Sequence, residues 1–293
     1  MNAADLISPA MTYLNDSDGK TSTPGGGLFV LKREEVSAFE AVVYNPVVCL
    51  ILQGSKIVTV GTTTTTLAPG DALVVSHDLP VQSRITLATP AAPYIALIIN
   101  LDLGLIRGLY EQVAGHLDAP SDARSMSAGA ATPDVIDAIA RYLDLVRRPL
   151  DADVLGPAVL REVHYRLLMS PMGGMLRRLL SVDSHASRVS RAILKLRSEF
   201  RDSVRVADLA REAGMSQSAF HGHFKSVTGT TPLQYQKELR MIAAHELLVS
   251  GRHSVSGASF EVGYESPTHF SRDFQRKFGV SPSRVEQATA TAA

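Results

Sequence analysis

The sequence predicts a two-domain α+β chain: a β-rich first half with trailing helices, then an all-α second half with two helix-turn-helix units joined by a long helix. Three observations carry this. Short β-branched runs punctuated by Gly and Pro lie between Leu28 and about Asn100, the pattern turns helical after Leu101, and a helix-pair pattern near the C-terminal end recurs at a fixed offset. A length of 293 residues also suits about two domains.

The elements follow in order. Residues 1 to about 27, ending in Pro24-Gly25-Gly26-Gly27, read as a flexible or loosely packed lead. Val42 to Gln53 is an apolar, β-branched strand that Gly54 ends. Lys56–Val60 continues, Gly61 turns, and the threonine run 62–66 suits a further strand. Pro69-Gly70-Asp71 is a turn, and Ala72–Val75 and Pro93–Asn100 are strands, a spacing that suggests a sandwich or barrel. Thr132-Pro133 supplies an N-cap and a first-turn proline to a helix with Ile136, Ile139, Leu143 and Val146 on one face. A second helix runs from about Pro157 to Met169, with Val159, Val163 and Leu167 at helical spacing, and Met175–Leu180 gives a short third. Residues 181–187 form the linker, with domains at 1–184 and 185–293.

Composition narrows the function classes. Hydrophobic content of 45% and charged content of 20% fit a globular chain with a sizeable core. No apolar run reaches the roughly 18 residues of a membrane span, and the first residues lack a basic region and a long apolar stretch, so neither a membrane nor secretion is expected. The one cysteine, Cys49, excludes an intramolecular disulfide and suits the cytoplasm. The formal net charge is zero, yet it is unevenly spread: 14 Lys+Arg against 19 Asp+Glu through Ser184, and 15 against 10 after it. A basic second half is the half to test for a phosphate-bearing partner.

That half opens with an amphipathic helix, Ala186 to Arg201, with Val189, Ile193, Leu196 and Phe200 on one face. A short helix then carries Val206, Leu209 and Ala210 inward, Gly214 supplies a left-handed turn, Ser216 caps the next helix, and Phe220 and Phe224 face inward. A small residue four before the glycine and an apolar one six after it let two crossing helices approach, the arrangement of a helix-turn-helix. The pattern recurs. Val206, Ala210 and Gly214 match Val255, Ser259 and Gly263 at an offset of 49, and Phe220, Phe224, Gly229 and Pro232 match Phe270, Phe274, Gly279 and Pro282 at an offset of 50. The two units fall at about 206–225 and 255–278. Thr231-Pro232 caps a helix from Leu233 to about Ser250, whose length of about 27 Å suits two recognition helices in adjacent major grooves, roughly 34 Å apart.

The stretches GYESPTHFSRDFQRKFGVSP (263–282) and GMSQSAFHGHFKSVTGTTPLQYQKELR (214–240) resemble the paired DNA-binding units of the AraC-type (AraC/XylS) transcription regulators. The first half, in YNPVVCLILQGSKIVTVG (44–61), PGDALVVSHDLPV (69–81), PAAPYIALIINLD (90–102) and LREVHYRLLMSPMGGMLRRL (160–179), is similar to the sensor domain of one AraC-type subfamily. The resemblance implies a cupin-like barrel followed by helices that pair two chains, and a sequence-specific regulator responding to a small-molecule effector. On this resemblance the base-contacting residues are Gln217, Ser218 and His221 in the first unit and Thr268, His269, Ser271 and Arg272 in the second. Arg272 suits guanine O6 and N7, whereas Gly222 stands where the family commonly carries a long basic side chain. Lys225, Lys237, Arg240, Gln275, Arg276 and Lys277 are the expected backbone contacts.

His221 and His223 lie two apart on a helix and cannot readily chelate one ion, and His245-Glu246 begins a zinc-protease pattern that Val249 breaks. The barrel region has no His-x-His pair, so no metal and no cofactor is expected. Gln53, His77 and Tyr94 are candidates for a barrel pocket. Cys49 reads as a buried, inert thiol, with a thiol sensor as the sharper alternative. Promoter DNA, an unidentified small-molecule effector, a second copy of the chain and, for an activator, RNA polymerase are the expected partners. Two other readings stay open: a cupin-type enzyme tethered by its C-terminal domain to DNA or a partner, and an N-terminal domain that dimerises without sensing.

Overall fold

The structure, a computed structural model, describes residues 1–15, 21–22, 27–116, 124–145, 147–181 and 184–292. Pro24, Gly25 and Gly26 of the expected lead, Val146 of the expected helix, and positions 182 and 183 of the expected linker lie outside the described residues. The chain divides into two compact units, Met1–Ser187 and Arg188–Ala293.

The described residues of the first unit form ten strands: β1 (Thr21–Ser22), β2 (Leu28–Arg33), β3 (Glu40–Tyr44), β4 (Val47–Gln53), β5 (Ser55–Val60), β6 (Thr63–Leu67), β7 (Asp71–Val75), β8 (Leu79–Leu87), β9 (Tyr94–Asn100) and β10 (Met126–Ala130). Six make one sheet in the order β1-β2-β9-β4-β7-β10, and four make a second in the order β3-β8-β5-β6. The apolar run expected as one strand from Val42 to Gln53 is two. Pro46, which has no N–H to give a ladder, falls between β3 and β4, and the chain changes sheets there. β2 and β8 lie in the region expected to form strands without bounds of their own, and β10 is outside it: Met-Ser-Ala-Gly-Ala has no β-branched residue to announce it.

The larger sheet separates two cores. Along β4, Val48, Leu50 and Leu52 join a cluster with the helices, while Cys49 and Ile51 join a cluster with Val58, Val60, Leu79 and Val81 of the second sheet. Burial on both faces explains why β4 reads as an unbroken apolar run rather than an alternating one. Against the outer face pack α1 (Ile7–Asn15), α2 (Leu103–Val113), α3 (Pro133–Leu145), α4 (Pro149–Met169) and α5 (Gly174–Leu180).

Two expectations change here. The lead is structured over its first fourteen residues: Asn2 and Asp5 form a reciprocal cap, Leu6, Ala10 and Leu14 are buried, and Tyr13 Oη donates to Leu143 O at 2.7 Å. α4 begins eight residues before the expected Pro157, which sits inside the helix. The apolar stripe of α3 is covered, since Val135, Ile136, Ile139, Tyr142 and Leu143 are all buried, and exposed apolar side chains gather instead on the first turns of α4 at Leu150, Val154 and Leu155.

Two buried histidines make this unit acid-sensitive. His77 contacts Ser76 Oγ through Nδ1 at 2.8 Å, and burial pulls it from 6.5 down to about 4. His164 accepts the Asp102 N–H at Nε2 (2.9 Å), and burial lowers it too. A folded-state value below the unfolded one means stability is fully present above pH 6.5 and is lost as pH falls through about 4. Between pH 7 and pH 4 the wild-type chain should therefore lose about 3 kcal/mol more than His77→Gln. Urea unfolding at the two pH values measures this, and equal losses would remove the account.

Candidate nucleic-acid interface and barrel cavity

The second unit comprises α6 (His185–Ser198), which begins just before it, and α7 (Val206–Glu212), α8 (Gln217–Thr228), α9 (Pro232–Val249), α10 (Val255–Glu261), α11 (Pro267–Phe278) and α12 (Pro282–Ala292). α7–α8 and α10–α11 are two helix pairs with the same internal build. Ser216 Oγ accepts from Ala219 N at 3.3 Å and Ser266 Oγ from His269 N at 3.4 Å, so each second helix opens on a serine cap. Each closes on a left-handed glycine, Gly229 at φ 75° and Gly279 at φ 74°. The inward aromatic pairs repeat as well, with Phe220–Phe224 and Phe270–Phe274 both at 5.6 Å between centroids.

α9 joins the two. Tyr235 meets Phe224 edge-on at 5.6 Å on the first side, while Met241, Ala244 and Leu248 pack with Phe270 and Phe274 on the second. Its Arg240 holds the centre: Nε donates to Phe200 O at 2.7 Å, Nη2 to Arg201 O at 3.1 Å and Asp202 O at 2.9 Å, and Nη1 to Gly263 O at 2.8 Å. Gln236 Nε2 adds bonds to Phe200 O at 3.0 Å and Asp202 O at 2.7 Å. The loop after α6 and the turn of the second unit are thereby fixed to the same helix.

The expected DNA-facing residues fall into two groups. On α8, Gln217, Ser218 and Lys225 are exposed, His221 is half-buried, and Gly222 leaves open space beside them. On α11, Thr268, His269, Arg272 and Gln275 are exposed, and the Ser271 hydroxyl donates back to Pro267 O at 2.8 Å. Other expected backbone contacts are bound internally. Arg240 holds carbonyls. Lys237 Nζ lies 2.6 Å from Asp273, and Lys277 pairs with Glu238, both bracing α11 on α9. Arg276 also pairs with Asp273 at 2.6 Å but stays largely exposed. Burial pushes the Asp273 carboxyl up, and hydrogen bonds from Lys237 and Tyr264 outweigh it, holding the group below its usual range. His245 stacks on Phe278 at 4.7 Å, and among the described residues no three His, Cys, Asp or Glu side chains stand where they could hold a metal ion.

Residues 25–175 match the family model of the AraC-type transcriptional regulator N-terminus, and residues 209–288 match that of a helix-turn-helix domain. The chain belongs to the AraC-type transcription regulators. It is 27% identical to the HTH-type transcriptional regulator ExsA of Pseudomonas aeruginosa over 82% of this chain and 85% of that protein. With the HTH-type transcriptional activator RhaS of Escherichia coli it shares 31% identity over 36% of this chain and 38% of that one. ToxT from Vibrio cholerae, in a crystal structure described as bound to an unsaturated fatty acid, has the same fold: TM-score 0.57, 13% identity, covering 88% of this chain and 92% of ToxT. This AraC-type chain is thus a DNA-binding transcription regulator with a β-rich N-terminal unit. No helix among its described residues is long and apolar enough to cross a membrane.

In the N-terminal unit a cavity of about 350 Å³ lies between the two sheets. Its apolar wall includes Leu31, Val42, Val47 and Ile98, and its polar lining includes Tyr44, Cys49, Lys56 and Ser83. The sequence candidates do not line it. Gln53 donates to Pro93 O at 2.8 Å, His77 is buried against Ser76, and Tyr94 is fully buried beside Cys49. Cys49 is buried as expected, and burial pushes its thiol up, yet it faces this cavity. The missed residue is Lys56. In Ser-Lys-Ile-Val-Thr-Val it shares the inward parity of Val58 and Val60, and a charge on the buried face of an alternating strand is a readable signal.

The turn glycines yield a contrast. A Cβ at Gly263 (φ 83°) would stand 1.9 Å from Arg201 O, whereas at Gly279 (φ 74°) it would meet nothing within 4 Å. Gly279→Ala should cost about 1 kcal/mol, the penalty of a left-handed alanine, and Gly263→Ala several-fold more, because backbone must move. Denaturant unfolding of both variants checks this; equal costs would show that the loop yields freely.

Proposed function

We propose that this regulator reads promoter DNA with both recognition helices, α8 and α11, in adjacent major grooves, and that α11 supplies the sharper base preference. The observation that carries this is Arg272, exposed on α11 with no partner among the described residues, while the neighbouring cations Lys237, Lys277 and Arg240 are engaged within the fold. Arginine grips guanine O6 and N7 in a fork. Thr268, His269 and Ser271 flank it, and Gln217, Ser218 and His221 serve the first groove, where Gly222 leaves readout to shape and short side chains. Lys225, Gln275 and Arg276 are the backbone contacts.

The N-terminal unit binds a small-molecule effector in its cavity, a reading supported by the cavity itself and by the fatty acid held in the ToxT structure. The chain acts in the cytoplasm as a regulator rather than an enzyme, and as an activator it would contact RNA polymerase. Two copies pair through the first turns of α4, where Leu150, Val154 and Leu155 are 76%, 67% and 50% exposed.

Two experiments test these statements. With a target site recovered by selection from random DNA, Arg272→Ala should weaken binding by about 1–3 kcal/mol and relax preference at one base pair. Lys225→Ala should weaken all sequences alike and reduce the salt dependence by about one phosphate contact. Equal weakening of target and scrambled DNA by Arg272→Ala would refute the base-readout assignment. Sedimentation of the full chain should show a dimer that Val154→Asp shifts toward monomer; a wild-type monomer at tens of micromolar would overturn the pairing.

A further inference from the structure

The barrel cavity contains a buried charge that no carboxylate of the described residues pairs directly. Lys56 lies on the inward face of β5, only 8% exposed, and its Nζ donates to Tyr44 Oη at 2.5 Å. Tyr44 Oη donates onward to Ser83 Oγ at 3.3 Å. An ammonium has three N–H donors; Tyr44 accepts one, and no carboxylate of the described residues pairs with Lys56. Burial pulls the amine down, while Tyr44, Cys49 and Glu40 more than offset it and keep it charged. A buried charge is costly unless paired, and here the adjoining volume is open cavity.

The rest of the lining says what could pair with it. Of the charged side chains around the cavity, Arg33, Lys56 and Arg84 are cationic and Glu40 is anionic, which favours a negative occupant. The exposed Arg33, Glu40 and Arg84 mark the solvent end, and Lys56 with Cys49 and Ser83 the buried one. Between them Leu31, Val42, Val47 and Ile98 form an apolar wall that offers a sugar or another polyol few partners. The volume stands at the low end of small-molecule sites, which run from about 300 to 1,000 Å³.

We propose that the cavity binds a small carboxylate with an apolar body, its head group accepting hydrogen bonds from Lys56 and its body lying against Leu31, Val42, Val47 and Ile98. This rests on the reading of the N-terminal unit as the effector site, and narrows the effector to one chemical class.

Calorimetric titration of the full chain with octanoate, 1-octanol and octylamine tests it, these probes having equal chain length and different heads. Octanoate should bind wild type at least tenfold more tightly than 1-octanol, with octylamine weakest. Lys56→Met should lose at least tenfold for octanoate and stay within threefold for 1-octanol. Equal or tighter binding of 1-octanol to wild type overturns the proposal, as does absence of binding by all three at millimolar concentration. So does an unchanged octanoate affinity in Lys56→Met. If Lys56→Met melts early, the wild-type series still decides, because it compares head groups in an unaltered site. A parallel DNA titration separates the two readings: octanoate that binds through Lys56 without changing DNA affinity would sink the sensor role and leave the ligand class standing.

Discussion

The second unit depends on one guanidinium. Arg240 points its fork at four main-chain carbonyls, three in the loop after α6 and one at Gly263. Loop carbonyls inside a fold need donors, and a rigid five-donor group meets several of them from one position. The same arrangement forces Gly263 to be glycine, because Arg201 O occupies the space of a side chain. Lysine could not replace Arg240: a single ammonium cannot reach the carbonyls of the 200–202 loop and of Gly263 together.

Around that fixed point the two helix-turn-helix units are similar in build and different in attachment. Apolar contacts, Phe224 against Tyr235 among them, hold the first to α9. The second adds ion pairs, Lys237 with Asp273 and Lys277 with Glu238. These pairs turn cations that sequence reading would give to phosphate into struts. The helix that carries the exposed Arg272 is also the more firmly oriented one, which suits the base contact proposed for it.

Much of this was legible in the chain because it rests on local chemistry. Serine caps, left-handed glycines and phenylalanines four apart mark helix pairs at about 206–225 and 255–278, where the second helices end at Thr228 and Phe278, and the offset changing from 49 to 50 marks the longer second turn. Strands β5, β6, β7 and β9 were legible from β-branching and turn residues. What escaped depends on long-range partners. Nothing near Arg240 announces carbonyls some forty residues away, and the helical lead is held by α3, more than a hundred residues on. The cavity lining is long-range too: residue type points to Gln53, His77 and Tyr94, whereas strand parity points to Lys56, which lines it.

Strand β4 is a party wall. Cys49 looks into the cavity, while Val48 and Leu50 on either side of it look into the helical layer. Protein interiors are too densely packed to absorb a shift on one face alone. A molecule that presses on Cys49 therefore also presses, through the same backbone, on the helices behind. An effector would need no hinge or lid to make its presence felt outside the barrel, and the size of its body, more than the strength of its binding, would set how far the message carries.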